Sequence, residues 1–202
     1  MSYNEKFYSC VDRKGKDWDN DKEKYRDNDT DNCYAPKKIL LECGCNPQDA
    51  IFEIDDERVE NNQEFVLDSV IVNTTYLCRP IVKIEFSSLI YFEVEAENSN
   101  GDREDGDKEI EVDLLFELIK ICKGNKECIQ SWRYLKEYEI ECDDELEIEV
   151  SEPFTVTFCD RTCPDCCEYK MIVKGKDFEG EFEALRVVKP NLSALTQGLC
   201  HK

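Results

Sequence analysis

Along residues 81–96, Val82, Ile84, Phe86, Ile90, Phe92 and Val94 are apolar, and Lys83, Glu85, Glu93 and Glu95 between them are charged. Successive side chains of a strand point to opposite faces, so this alternation builds one dry face and one wet face. On a helix of 3.6 residues per turn the same apolar residues would be scattered around the whole cylinder. The pattern returns in Ile110, Val112, Leu114, Phe116 and Leu118, and in Leu146, Ile148 and Val150 set between Glu145, Glu147 and Glu149. It appears again in Phe154, Val156 and Phe158, and in Cys167, Tyr169, Met171 and Val173. One buried and one solvated face is the mark of antiparallel sheets. Turn residues at Asn46-Pro47, Asn61-Asn62, Arg79-Pro80, 98–106, Gly124-Asn125, Asp143-Asp144, Pro164 and Lys174-Gly175 divide the chain into nine or ten strands, several of them long. Only residues 131–138 read equally well as strand or helix. The expected fold is all-β: an antiparallel two-sheet sandwich, jelly-roll or Greek-key like, with Ile84, Phe86, Phe116, Leu146, Phe154, Val156 and Phe182 inside.

The first 32 residues do not share this pattern. Tyr3, Phe7, Tyr8 and Val11 surround Cys10, and a charge-mixed stretch follows that offers little to bury beyond Trp18 and Tyr25. Such a stretch is a tether rather than a core element. The organisation expected is a flexible N-terminal arm over residues 1–32, in which Tyr3, Phe7, Tyr8 and Val11 form a small apolar head, followed by a β-sandwich domain over residues 33–202.

Charge narrows the partners. The 26 basic and 47 acidic residues leave a net charge of −21, which repels nucleic-acid phosphates and anionic lipid alike. No apolar run reaches membrane-spanning length, so neither nucleic-acid binding nor membrane insertion is expected. Thirteen cysteines in 202 residues point to an oxidising destination, and an odd number cannot all pair within one chain. The opening Met-Ser-Tyr-Asn-Glu-Lys-Phe lacks the apolar core of an export signal. Release without a signal peptide, as from a mother cell that lyses around its spore, reconciles the two. A reduced zinc protein is the other reconciliation.

The cysteines divide by position. Cys10 and Cys200 lie near the chain ends, and with Cys33 they are candidates for bridges between copies; the bland alternative is an arm or tail thiol that folds back on its own domain. Cys43, Cys45, Cys78, Cys122, Cys128, Cys142, Cys159, Cys163, Cys166 and Cys167 are candidates for disulfides within the domain. The densest group, Cys159, Cys163, Cys166 and Cys167, contains one CxxC spacing and offers zinc as the alternative to disulfides, although a structural zinc site ordinarily shows two such pairs.

Other constellations favour the plain explanation. Asp17, Asp19 and Asp21 open like a calcium loop, but Lys22 stands where glycine is required and Asn28 where a bidentate glutamate is required. Residues 97–111 carry seven acids against two bases and read as a solvated hairpin tip. Trp132, Tyr134 and Tyr138 have the spacing of a sugar-stacking platform, but aromatic residues in a strand are more often core. The one histidine, His201, is penultimate, so no Cys-His or Ser-His pair can be set on a rigid scaffold, and no glycine-rich phosphate loop occurs. No catalytic residue, cofactor or resident metal is expected.

The blocks Lys38-Ile-Leu-Leu-Glu-Cys-Gly, Arg79-Pro, Ile84-Glu-Phe-Ser-Ser-Leu-Ile, Glu111-Val-Asp-Leu-Leu-Phe-Glu-Leu, Gln130-Ser-Trp-Arg-Tyr, Ser151-Glu-Pro-Phe-Thr-Val-Thr-Phe-Cys and Cys166-Cys-Glu-Tyr-Lys resemble a clostridial family of unknown function over residues 33–199. That resemblance implies a spore-forming anaerobe as source and supplies no activity. In organisation alone, with its cysteine-bearing arm, linker and sandwich, the chain is also similar to the fibre subunits of bacterial endospore appendages. The function expected is therefore a self-assembling structural subunit of a disulfide-cross-linked filament, spore-surface or extracellular, whose partner is itself. The alternative is a cytosolic zinc- or ligand-binding β-sandwich module.

Overall fold

The computed structural model describes residues 37–60, 62–96, 108–140 and 146–200, and all of its regular structure is β. The strands are β1 (Lys37–Cys43), β2 (Ala50–Ile51), β3 (Ile54–Asp55), β4 (Arg58–Val59), β5 (Glu64–Asn73), β6 (Leu77–Ala96), β7 (Lys108–Cys122), β8 (Asn125–Ile140), β9 (Leu146–Arg161), β10 (Cys166–Glu179) and β11 (Glu181–Cys200). The ambiguous segment 131–138 is strand, within β8. The arm, residues 1–32, lies outside the described residues.

Eight long strands form two antiparallel sheets, ordered β1-β11-β6-β9 and β5-β10-β7-β8, with β2 also paired to β11 and β3-β4 a separate small hairpin. Successive long strands cross between the sheets at every step except β7 to β8, and the resulting order is that of a jelly roll. The sheets meet through aromatic rings. Phe116 of β7 stacks on Phe154 of β9 with centroids 4.0 Å apart, Phe86 of β6 leans on both, and Phe92 of β6 meets Tyr138 of β8. A second group, Phe52, Phe65, Phe178 and Phe182, fills the core beside the β3-β4 hairpin.

The interior follows the alternation. Every even position of β6 from Val82 to Val94 is buried, and Ile84, Phe86, Phe116 and Phe182 lie in the core as expected. Phe154 and Val156, on edge strand β9, are half-buried against it. The side chain of Leu146 lies outside the described residues.

Two expected strand boundaries are instead bulges. β6 runs through Arg79-Pro80 and β10 runs through Lys174-Gly175. Opposite β11 the pairing steps from Gln197↔Ile81 to Leu199↔Cys78, so β6 carries one extra residue there, and Arg79 takes a φ of 49°. Proline cannot donate to the ladder, and a bulge is where a strand interior tolerates that loss. The same device recurs at Lys189-Pro190 of β11, where Lys189 has a φ of 54° and the register shifts between Val188 and Asn191. Lys123-Gly124, with φ of 51° and 81°, makes the tight β7-β8 hairpin, since a two-residue turn with both φ positive matches strand twist.

The β1/β5 side of the sandwich is closed by a buried carboxylate. Asp68 of β5 is 2 % exposed. Its Oδ1 accepts hydrogen bonds from the backbone N–H of Asn46 (3.2 Å) and Ser69 (2.8 Å), and its Oδ2 from Leu192 N–H (3.0 Å) on the opposite sheet. Gly44 must lack a side chain here, because a Cβ would collide with that carboxylate. A buried donor without a partner costs about 1–3 kcal/mol, and bonds to a charged acceptor are among the stronger ones. Asp68→Ala is therefore expected to destabilise the domain by about 3–5 kcal/mol, a large part of a typical domain's about 5–15 kcal/mol, measured by urea unfolding. A loss below about 1 kcal/mol would contradict the role given to this carboxylate.

Candidate functional site

The antiparallel register of β7 and β10 brings Cys122 opposite Cys167, and the two form a disulfide with a Cα–Cα distance of 4.5 Å. Both had been candidates for pairing within the domain. The bridge closes a loop of 45 residues, which stabilises by about 4 kcal/mol in the chain-entropy account. Cys163 is disulfide-bonded as well.

Among the described residues, five other cysteines lie exposed and outside any disulfide: Cys43 on β1, Cys45 just after it, Cys128 on β8, Cys159 on β9 and Cys166 at the start of β10. Cys78 of β6 is half-buried. Cys10, Cys33 and Cys142 lie outside the described residues, as do the side chain of Cys200 and the head residues Tyr3, Phe7, Tyr8 and Val11. The exposed thiols are there for a geometric reason. Cys166 precedes inward-facing Cys167 and Cys159 follows inward-facing Phe158, so the pleat turns each of them outward. Cys45 Sγ sits 3.4 Å from the Ser69 carbonyl oxygen. Burial against neighbouring groups, then the Glu117 carboxylate, pushes the Cys128 thiol up, which keeps it protonated and slows its chemistry.

Cys159, Cys163, Cys166 and Cys167 do not converge on a common point. Cys167 is bonded inward to Cys122, Cys163 is in a disulfide, and Cys166 faces outward. Among the described residues no group of three or more His, Cys, Asp or Glu side chains is placed to hold a metal ion. Of the acidic stretch 97–111, residues 97–107 lie outside the described residues. Trp132, Tyr134 and Tyr138 are half-buried and pack on the core. Tyr134 stands edge-on to Phe154 at 6.5 Å.

Two polar clasps between the sheets were not visible in the sequence. In the first, Lys120 Nζ of β7 donates to Asp160 Oδ2 of β9 at 2.6 Å and to Thr162 Oγ1 at 2.8 Å. The Tyr169 hydroxyl of β10 donates to the same Asp160 oxygen at 2.8 Å. In the second, Tyr134 and Lys136 of β8 donate to Glu152 of β9 at 3.2 and 2.8 Å. Their partners are many residues apart in sequence, and only the fold's register brings them together. In both clasps each of these donors has its acceptor.

The family comparison can be set on this geometry. A family model described as Domain of unknown function (DUF4489) matches residues 37–197. The chain belongs to the DUF4489 family. The match opens on the first residue of β1 and closes within β11, so the DUF4489 domain here is the jelly roll itself. No curated protein matches the chain. Among the described residues no helix is long and apolar enough to cross a membrane.

Both clasps carry a pH dependence. Burial, reinforced by Asp160, raises the Tyr169 hydroxyl above its ordinary 10.0, and burial with Glu152 raises Tyr134 in the same way. Lys136 is raised by its hydrogen bond to Glu152. The folded state then holds these protons more tightly than the unfolded chain, so the stabilisation is complete below pH 10 and is lost as pH climbs beyond it. Tyrosinate absorbance is expected to show a set of tyrosines that ionise only as the β-sheet dichroism is lost. Tyr169→Phe should remove one tyrosine from that set. Ionisation of all tyrosines near pH 10 with the sheet intact would contradict the assignment.

Proposed function

We propose that this DUF4489 chain is a structural, self-associating subunit whose copies are joined through the N-terminal arm and locked by disulfides, in a filament on a spore surface or outside the cell. The observation that carries the reading is the set of five outward thiols on a rigid sandwich, a costly display in a reducing compartment and a useful one where thiols oxidise. Thirteen cysteines, an odd number, add a further reason to look for bonds between chains. The polar clasps described above have their donors and acceptors matched, which supports a structural rather than a catalytic task.

The arm supplies the reach. In this proposal about twenty residues of coil would reach roughly 25 Å root-mean-square. The head of Tyr3, Phe7, Tyr8 and Val11 can bury a few side chains, each contributing about 1.5–3 kcal/mol at best. Against the cost of association that is a weak contact. A disulfide from Cys10 makes it durable: two thiols lose two protons and two electrons to an oxidant such as molecular oxygen, and one S–S bond forms. A head-to-tail contact that does not close extends into a fibre.

Deleting residues 1–32 is expected to leave a folded monomer, and negative-stain images of the full chain should contain fibres that the truncated protein lacks. Cys10→Ala should still assemble at high concentration but come apart in denaturant at least tenfold faster. Fibres of the same form from the truncated protein would overturn the arm's role. A reduced monomer carrying one equivalent of zinc would favour a metal-binding module instead.

A further inference from the structure

The two sheets differ on their outer faces. On the β5-β10-β7-β8 sheet, Lys174 bridges Glu64 and Glu117, both at 3.0 Å, and Arg133 holds Asp113 at 2.8 Å. On that same side Ile119 and Ile172 are nonetheless buried. On the other sheet the Lys83–Glu85 ion pair stands on β6 beside Leu195, and among the described residues no ion pair covers β1. Leu41 and Leu195 are direct cross-strand partners, and Ile39, Gln197 and Ile81 form the next row across β1, β11 and β6. Directly paired residues share a face, so Ile39 (64 % exposed), Leu41 (68 %), Ile81 (44 %), Leu195 (43 %) and Leu199 (37 %) make one open apolar patch. β1 borders it as an edge strand, with its far side unpaired by any described strand. An exposed apolar edge of this kind is a template for strand addition unless something covers it.

We propose that the occupant of this face is the apolar head around Cys10, residues 3–11, supplied by a neighbouring copy of the chain. Charge selects it. The sandwich belongs to a chain of net charge −21, so docking one sandwich on another brings like charges together. The head instead, residues 3–11, carries Glu5 against Lys6 and no net charge, so it docks without that repulsion. That segment is also apolar enough to match the patch, through Tyr3, Phe7, Tyr8 and Val11. The chain outside the structure joins β1 at Lys37, the position paired with Leu199, so the arm departs from the border of the patch. An extended segment laid beside β1 satisfies the open edge while its alternate side chains cover the leucines. Cys43, exposed on β1 two residues beyond Leu41, then stands within the same docking zone.

This inference takes from the assembly reading only the choice of which copy supplies the head, and one experiment separates the two. The photo-reactive residue benzoyl-phenylalanine replaces Phe7 in the full chain, light and isotopically heavy chains are assembled together, and adducts are mapped after irradiation and reduction. Adducts are expected on the peptides holding Ile39, Leu41, Leu195 or Leu199, joining heavy to light chains. Leu41→Glu with Leu195→Glu should cut their yield at least tenfold, while Ile71→Glu, exposed on the other sheet, should leave it within twofold. All of these positions are already exposed, and sheet dichroism checks that each variant folds. Adducts on this face that join only residues of a single chain keep the docking site and overturn the assembly reading. Adducts elsewhere, or a yield unchanged in the double variant, overturn the docking site, and images of the assembled protein then judge the assembly separately.

Discussion

β6 lies between β11 and β9 and keeps seven consecutive inward positions, Val82 through Val94, on the dry side of its sheet. A slip of one residue would turn all seven outward, so the register of this strand fixes the registers of both neighbours. Its pairing with β9 runs unbroken from Ile81↔Arg161 to Ala96↔Leu146. Its pairing with β11 is corrected three times by single-residue shifts. Two of those corrections fall at Arg79-Pro80 and Lys189-Pro190, where a proline without an N–H meets a position without a ladder partner. The long strands keep their dry face because the bulges absorb the mismatch between two twisting ribbons.

With the core so arranged, the sandwich is clasped on both sides by polar groups. Asp68 binds the backbone of β11 and the segment after β1, while Glu152 holds Tyr134 and Lys136 across the β8/β9 side. Asp160 gathers Lys120 and Tyr169 near the Cys122–Cys167 bridge. Each is a carboxylate with its donors supplied, and for Asp68, the buried one of the three, that is the condition under which a buried polar group is tolerated. Among the described residues, the hydroxyls of Ser88 and Thr196 are buried without a hydrogen-bond partner and are small local costs carried by the fold.

Alternation disclosed the long strands and their two faces, because a period of two survives any detail of connectivity. It left jelly roll and Greek key both open, and only the strand order decides for the jelly roll. The proline and glycine dipeptides misled at Arg79-Pro80 and Lys174-Gly175: they signal a local irregularity, and the sequence does not say whether the strand ends there or bulges. Asp68 was not legible as a clasp, since its partners Asn46 and Leu192 lie 22 and 124 residues away. The bridge between Cys122 and Cys167 was legible only as one pairing among many, because it depends on the β7/β10 register. The apolar patch was hidden for a related reason. Ile39, Leu40 and Leu41 form an unbroken apolar run, and only the pairing of β1 with β11 reveals which of them face out.

We propose that this acidic jelly roll is joined to copies of itself through its outward thiols and the apolar face beside β1. The claim at the centre of that account is that the thiols link chains rather than idle on one. Denaturing electrophoresis without reductant, on the full chain after air oxidation, tests it directly. The account predicts a ladder at multiples of 23.6 kDa that collapses to one band when reductant is added. A single band at 23.6 kDa under both conditions would contradict it.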